Sequence, residues 1–231
     1  MVGIAAVFLS DQVKRKIIST ELEPEAQHRN EFDSGKPYIW LFGIVGGFAM
    51  SSIIVVFDTL FPVYALRQGL TLSMIGLLSG LKMVLAAIIR PFSGQILAHI
   101  SAVKITHWSM GGLTLSALIL PFAGIGAGLF LIIGMMGLSF GASRVTTAAL
   151  ALDGSFDSDL VSRRISVYTV TLSIAQSIGP FIAGWVAYWF DVPIAIAGIP
   201  VVVILLYAAS LLVIPNLTLP TAVVTLKRTA H

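Results

Sequence analysis

Two residues of opposite charge stand inside runs that are otherwise apolar. Asp58 lies in IIVVFDTLFPVY and Lys82 in GLLSGLKMVLAAII. An ionised group at the centre of a bilayer costs roughly 2.5–3.5 kcal/mol on insertion scales, so such residues face a cavity, water or one another. The turn between the two runs is centred near residues 68–70. A hairpin folded there brings Asp58 and Lys82 to similar depth, about 15 Å from the nearer surface at about 1.5 Å of helix per residue. The spacing predicts a buried ion pair or a pair of pocket-lining groups, with Asp58 able to carry a proton. The alternative leaves Asp58 at the outer mouth and Lys82 reaching along its stem to water. Arg144, about two turns from the end of a later apolar run, can meet an anion or a carboxylate, or extend to the surface.

Other chemistries are poorly supplied. Gly137-Leu-Ser139-Phe-Gly141 fits the G-x-S-x-G pattern of serine hydrolases, but that pattern requires a strand–turn–helix elbow and here lies inside an apolar run. Its histidine partner is also missing at that depth. His28 and His231 lie in polar segments, and His99 and His107 lie at or near one face. The histidines lack metal-ligand spacing, the chain has 0 cysteines, and no P-loop is present. The sequence therefore predicts no enzyme, no metal and no cofactor. An intramembrane enzyme is the remote alternative.

These residues must be positioned by membrane helices. Of 231 residues, 57% are hydrophobic and 11% charged, with mean hydropathy +0.95. Soluble domains carry about 25% charged residues, and a chain of this length cannot hide so much apolar surface in one core. Six apolar spans are expected at residues 38–64, 72–89, 103–121, 129–150, 165–190 and 192–214. They read as helices because every backbone polar group must be paired within hydrocarbon, and the alternation of a barrel is absent. Residues 1–10 read as the stub of a preceding span, 11–37 as a linker loop, 38–214 as the bundle and 215–231 as a tail.

If each span crosses once, twelve of the 14 Lys and Arg fall on one face: Lys14, Arg15, Lys16, Arg29, Lys36, Arg90, Lys104, Arg144, Arg163, Arg164, Lys227 and Arg228. Cationic loops stay in the cytoplasm, so both termini are expected inside, in the plasma (inner) membrane. The net charge of +3 is then a matter of topology, and nucleic acid is not an expected partner.

Small residues mark close helix contacts. Gly43, Gly46 and Gly47 form one thin face, Gly134, Gly137, Gly141 and Ala142 a second, and Ser173, Ser177 and Gly184 a third. Gly179-Pro180 predicts a kink or a packing point. A short echo between Arg90-Pro-Phe-Ser-Gly94 and Gly179-Pro-Phe-Ile-Ala-Gly184 suggests two three-helix repeats of opposite topology, an arrangement found in transporters.

Four stretches, FPVYALRQGLTLSMIGLLSGL, RPFSGQILAHISAVK, GLSFGASRVTTAALALD and SIGPFIAGWVAYWFD, resemble the C-terminal half of a major facilitator superfamily transporter, over residues 38–214. The resemblance implies an all-α membrane fold of two inverted three-helix repeats, half of the full facilitator fold, with residues 1–10 ending helix six. It implies a secondary active transporter of small molecules, ion-gradient coupled and working by alternating access, with efflux among its directions. In the family's inner-loop slot Gly94 matches, while Ala98, His99 and Ser101 replace the acidic, basic and second glycine positions. Arg90 with Asp153, Asp159 and Arg163 would then form a cytoplasmic gate, or Arg90 is a helix-end cation among headgroups. The first and fourth spans would line the cavity, with Phe42, Phe48, Met50 and Phe57 as candidate apolar walls. A half-length chain needs a separate N-terminal half or a second copy as partner, beside substrate and lipid; otherwise it is an inactive fragment.

Overall fold

The structure is a computed structural model, and it describes residues 39–153 and 158–213. The expected stub, linker and tail lie outside the described residues, as does Asp157. All regular structure among the described residues is helical: α1 Ile39–Arg67, α2 Leu72–His99, α3 Ala102–Ile119, a 3₁₀ turn Leu120–Phe122, α4 Ala127–Leu152, α5 Ser158–Phe190 and α6 Val192–Val213. Five of them (α1, α2, α4, α5 and α6) are long and apolar enough to cross a membrane. The protein is therefore an integral membrane protein. The third expected span, α3, has 18 residues with Lys104 and His107 in its first two turns, and is not among those five.

Two helix ends differ from expectation. α2 does not stop at Arg90-Pro91 but runs through Pro91 to His99. Proline removes one backbone donor without forcing a helix to end where neighbouring helices support it, and Pro62, Pro180 and Pro200 likewise lie inside α1, α5 and α6. What ends α2 is Ile100, in extended conformation ahead of the cap residue Ser101. α5 begins at Ser158 rather than near residue 165, so the loop before it is shorter than predicted.

The turns on the opposite side are built by named residues. Gly69 adopts φ +85, which a side chain would resist, and the Gly69 and Leu70 N–H groups donate to the Leu66 and Ala65 carbonyls. Thr71 then caps α2 by accepting from Met74 N at 3.3 Å. A single residue, Asp191, separates α5 from α6. It is left-handed (φ 72), and its carboxylate accepts from the Val192 N–H at 2.8 Å, which caps α6.

Two helices form the centre. Buried residues make up 56% of the α1 span and 50% of the α4 span, against 17–22% for α2, α5 and α6. α4 packs against α2 on one side and α3 on the other, and α1 packs against α5 and α6. The two central helices pack on each other, and α3 packs on α6 behind them. α2 and α5 have no comparable contact, nor do the consecutive helices α1 and α2. One side of the α1–α4 pair is therefore open between α2 and α5.

Helices in lipid gain little from apolar burial against one another, so close fit must hold them. At Gly43 of α1 an added Cβ would lie 2.6 Å from the Thr147 carbonyl oxygen and 2.7 Å from Ala151 Cα, both backbone atoms of α4. α5 meets α1 through Leu172, Ala175, Gly179 and Ala183, and a Cβ at Gly179 would lie 2.9 Å from Val55 Cγ1. Of the expected third small face, Ser173, Ser177 and Gly184 are exposed, and nothing lies within 4 Å of a Cβ at Gly184. The packing row of α5 is displaced by one residue from them. Gly43→Val should lower the unfolding midpoint in detergent by an amount equivalent to about 1–3 kcal/mol of overpacking. Gly184→Ala should leave it unchanged, and equal effects from both would contradict this packing.

Candidate functional site

The site begins with a row of glycines on α4. A Cβ on Gly137 would lie 2.5 Å from the Lys82 carbonyl oxygen and 3.0 Å from Lys82 Cα, and one on Gly141 would meet the Ala86 backbone. Gly134 faces Leu85 in the same row. The absence of side chains lets α2 lie directly on α4, with Ile75, Leu78, Lys82 and Ala86 as its buried row. Gly137 and Gly141 lie at the α2–α4 contact, and the G-x-S-x-G pattern lies within continuous helix.

Docked in this way, Lys82 is directed across to α1. Its Nζ makes an ion pair with Asp58 Oδ1. The ammonium also lies 4.9 Å from the Phe57 ring centroid, and Phe57 stacks on Phe61 at 4.7 Å and 17°. A cation over an aromatic face gains when water is excluded. The two partners are unequally enclosed: the Lys82 side chain is 1% exposed and that of Asp58 40%. Lys82 does not reach along its stem to water. Of the pair, the carboxylate is the part that a solute could touch.

Arg144 is exposed on α4, about 10 Å along the helix from Gly137 at about 1.5 Å per residue. It lies on the arc between the glycines that meet α2 and Ala151, which meets α1. Among the described residues no carboxylate pairs with it. It lies within electrostatic reach of the Tyr168 hydroxyl on α5, and that hydroxyl is 2.9 Å from Thr147 Oγ1. A further hydroxyl contact joins Thr106 to Thr146 at 2.8 Å.

The residues of the expected cytoplasmic gate are distributed over α2, the end of α4, and α5. Arg90 and Arg163 are exposed, and among the described residues no ion pair joins Arg90 to Asp153 or Asp159. Gly94 lies within α2, and Asp159 in the first turn of α5. The cation that bridges helices is Arg164, one residue beyond Arg163. Its guanidinium donates to the Asp153 carbonyl and lies 5.4 Å from the Trp40 ring centroid. Its signal in the sequence was only its position beside Arg163. Met50 and Phe57 are buried in the core and do not line an open wall, whereas Phe48 is 41% exposed. Pro180 is half-buried beside Gly179.

On the opposite side, Arg67 at the end of α1 bonds Asp191 at 2.5 Å. Both side chains are more than half exposed, so the pair is weak and screened. The hydrogen bond from Val192 N–H, and then that from Arg67, hold the Asp191 carboxyl below its ordinary value of 3.8. An open apolar groove of about 730 Å³ lies elsewhere, between the ends of α3 and α6, where Phe122 and Ile194 line it.

Comparison with known proteins adds no relative: no family model, no curated protein and no solved structure matches this chain.

Two outcomes are expected. Asp58→Asn leaves a sealed ammonium without its counter-charge and should destabilise the folded chain by about 3 kcal/mol or more. Lys82→Met leaves only a half-open carboxylate and should do less, and the double substitution should regain most of the loss. Unfolding titrations of all three variants in detergent check the order; additive losses would contradict the pairing. The depressed Asp191 value means its tie to Arg67 is complete above the ordinary carboxylate range and is lost as pH falls through the lowered value. Trp189 fluorescence should therefore hold steady from neutral pH to about 4 and change only below it, and Asp191→Asn should remove that change.

Proposed function

We propose that this chain is one half of a secondary transporter of the major facilitator kind, which moves a small molecule across the plasma membrane by alternating access. The observation that carries the proposal is the Asp58–Lys82 pair, a sealed ammonium whose carboxylate opens on the unclosed side of the α1–α4 centre. Soluble ligand chemistry has no use for such a pair at mid-span, whereas transporter sites lie near the bilayer midplane.

The packing pattern lends support. Exchanging α1 with α4, α2 with α5 and α3 with α6 carries the α2–α4 contact onto α5–α1, and α3–α4 onto α6–α1. That is the relation expected of two inverted three-helix repeats. The echo between residues 90–94 and 179–184 does not contribute, because Pro91 lies beyond the buried row of α2 while Pro180 lies inside that of α5. In this reading α3 also crosses the membrane, which makes six spans, and Arg67 and Asp191 meet on the outer face. Trp185, Tyr188 and Trp189, all largely exposed near that end of α5, form an aromatic girdle at the interface.

Asp58 is the coupling residue in this mechanism. Protonating it removes the counter-charge of Lys82, so proton or cation arrival at Asp58 and movement of α2 against α1 are linked. The open side requires a second wall, from a separate N-terminal half or a second copy. A half-chain without one is the inactive alternative.

The chain contains no cysteine, so single cysteines report directly. Arg144→Cys, on the open arc, should react with a membrane-impermeant thiosulfonate, while Leu138→Cys, on another arc of α4, should stay inert in lipid. In intact cells Gly69→Cys should label from outside and Ser101→Cys only after permeabilisation. Equal reactivity of Arg144→Cys and Leu138→Cys, or labelling of Ser101→Cys from outside, would overturn the reading.

A further inference from the structure

The charges inside the spans do not cancel. Asp58 neutralises Lys82 by direct contact, and Lys82 is sealed so that no solute reaches it. Arg144 remains, exposed on the same open side and without a carboxylate partner among the described residues. Asp58 and Lys82 cancel as a pair, so Arg144 adds a net +1 on this side. Further groups beside Arg144 are suited to an anion. Tyr168 presents a hydroxyl already held by Thr147, and Arg164 lies one turn inward of Tyr168 on α5, against the Trp40 ring. A guanidinium binds carboxylate, sulfonate or phosphate through paired donors, and Tyr168, whose single O–H is directed to Thr147 Oγ1, can add a donor only by exchanging that bond.

We propose that Arg144, with Tyr168 beside it and Arg164 at the inner rim, binds the anionic group of an organic anion entering from the inner end of the open side. The inference rests on the transporter reading and adds the substrate class: a solute with at least one negative group. The neutral Asp58–Lys82 pair does not select for charge; it couples. An anionic lipid headgroup offers the same chemistry from another source, and the test separates the two.

Ala148 lies one helical turn from Arg144, toward the same mouth. Ala148→Cys in the otherwise cysteine-free full chain is placed in nanodiscs of zwitterionic lipid. It is then treated with an anionic (sulfonatoethyl) or a cationic (trimethylammonioethyl) thiosulfonate. The anionic reagent should react faster by about tenfold, the scale of one charge-assisted contact. Adding Arg144→Gln should abolish that ratio, and Arg144→Lys should keep part of it. Benzenesulfonate should protect the cysteine saturably, and its neutral relative benzenesulfonamide should not. A reagent ratio unmoved by Arg144→Gln overturns the proposal, as does equal protection by the two additives; a carboxylate supplied to Arg144 by a partner half would produce the first of these. Loss of the anionic preference in nanodiscs of anionic lipid would assign the site to headgroups and overturn the solute version. If neither reagent reacts, the open side is closed to water and the transporter reading itself fails.

Discussion

Everything near the site depends on one close approach, α2 lying directly on α4 at Gly137. That contact exists because Gly134, Gly137 and Gly141 supply no side chains between the two backbones. It fixes the Lys82 backbone, seals the side chain, and leaves the ammonium one direction in which to find a counter-charge, toward Asp58 on α1. In a medium where apolar contact between helices gains little, an ion pair and a glycine row can define the register of three helices. α1 and α2 touch little otherwise, so Asp58–Lys82 is also the principal bond across their hairpin.

The same logic explains why the bundle is lopsided. α3 and α6 close its back, while α2 and α5 stand apart at its front. The charged groups of the span interiors, Asp58 and Arg144, open on that unclosed side. The faces of α2 and α5 that turn away from the centre are apolar, with Leu77, Val84, Ile174 and Phe181 all exposed, as lipid contact requires. Charge and openness therefore coincide, and fatty surface and charge do not.

Much of this was legible from residue types alone. A lone aspartate and a lone lysine in two apolar runs, either side of a Gly69 turn, are placed at similar depth by the hairpin, although the sequence equally allows Asp58 at the mouth and Lys82 reaching to water. Glycines three and four apart on α4 announce a close neighbour, although not that the neighbour is α2. What the sequence could not supply was the choice of partner and arc. Gly184 is as small as Gly179, but only Gly179 lies on the row that meets α1. Arg163 and Arg164 are adjacent and identical in type, yet about 100° of helical rotation separates a solvated side chain from one that reaches Trp40 and the Asp153 carbonyl. Arg90-Pro91 looked like a stop because proline usually is one, and the helix continues because neighbouring segments supply support that no local pattern records. The Arg67–Asp191 contact joins residues distant in sequence at two separate turns, and only the folded arrangement of α1, α5 and α6 brings them together.

The central claim is that α1 and α2 meet at Asp58 and Lys82 with Lys82 turned inward. Its most direct measurement is closure of Asp58→Cys/Lys82→Cys by a short bifunctional thiol reagent in membranes, compared with Asp58→Cys/Met83→Cys. Met83 is exposed and on a different arc of α2. The account predicts efficient intramolecular closure for the first pair and little for the second. Equal closure of both pairs, or closure of neither, would contradict it.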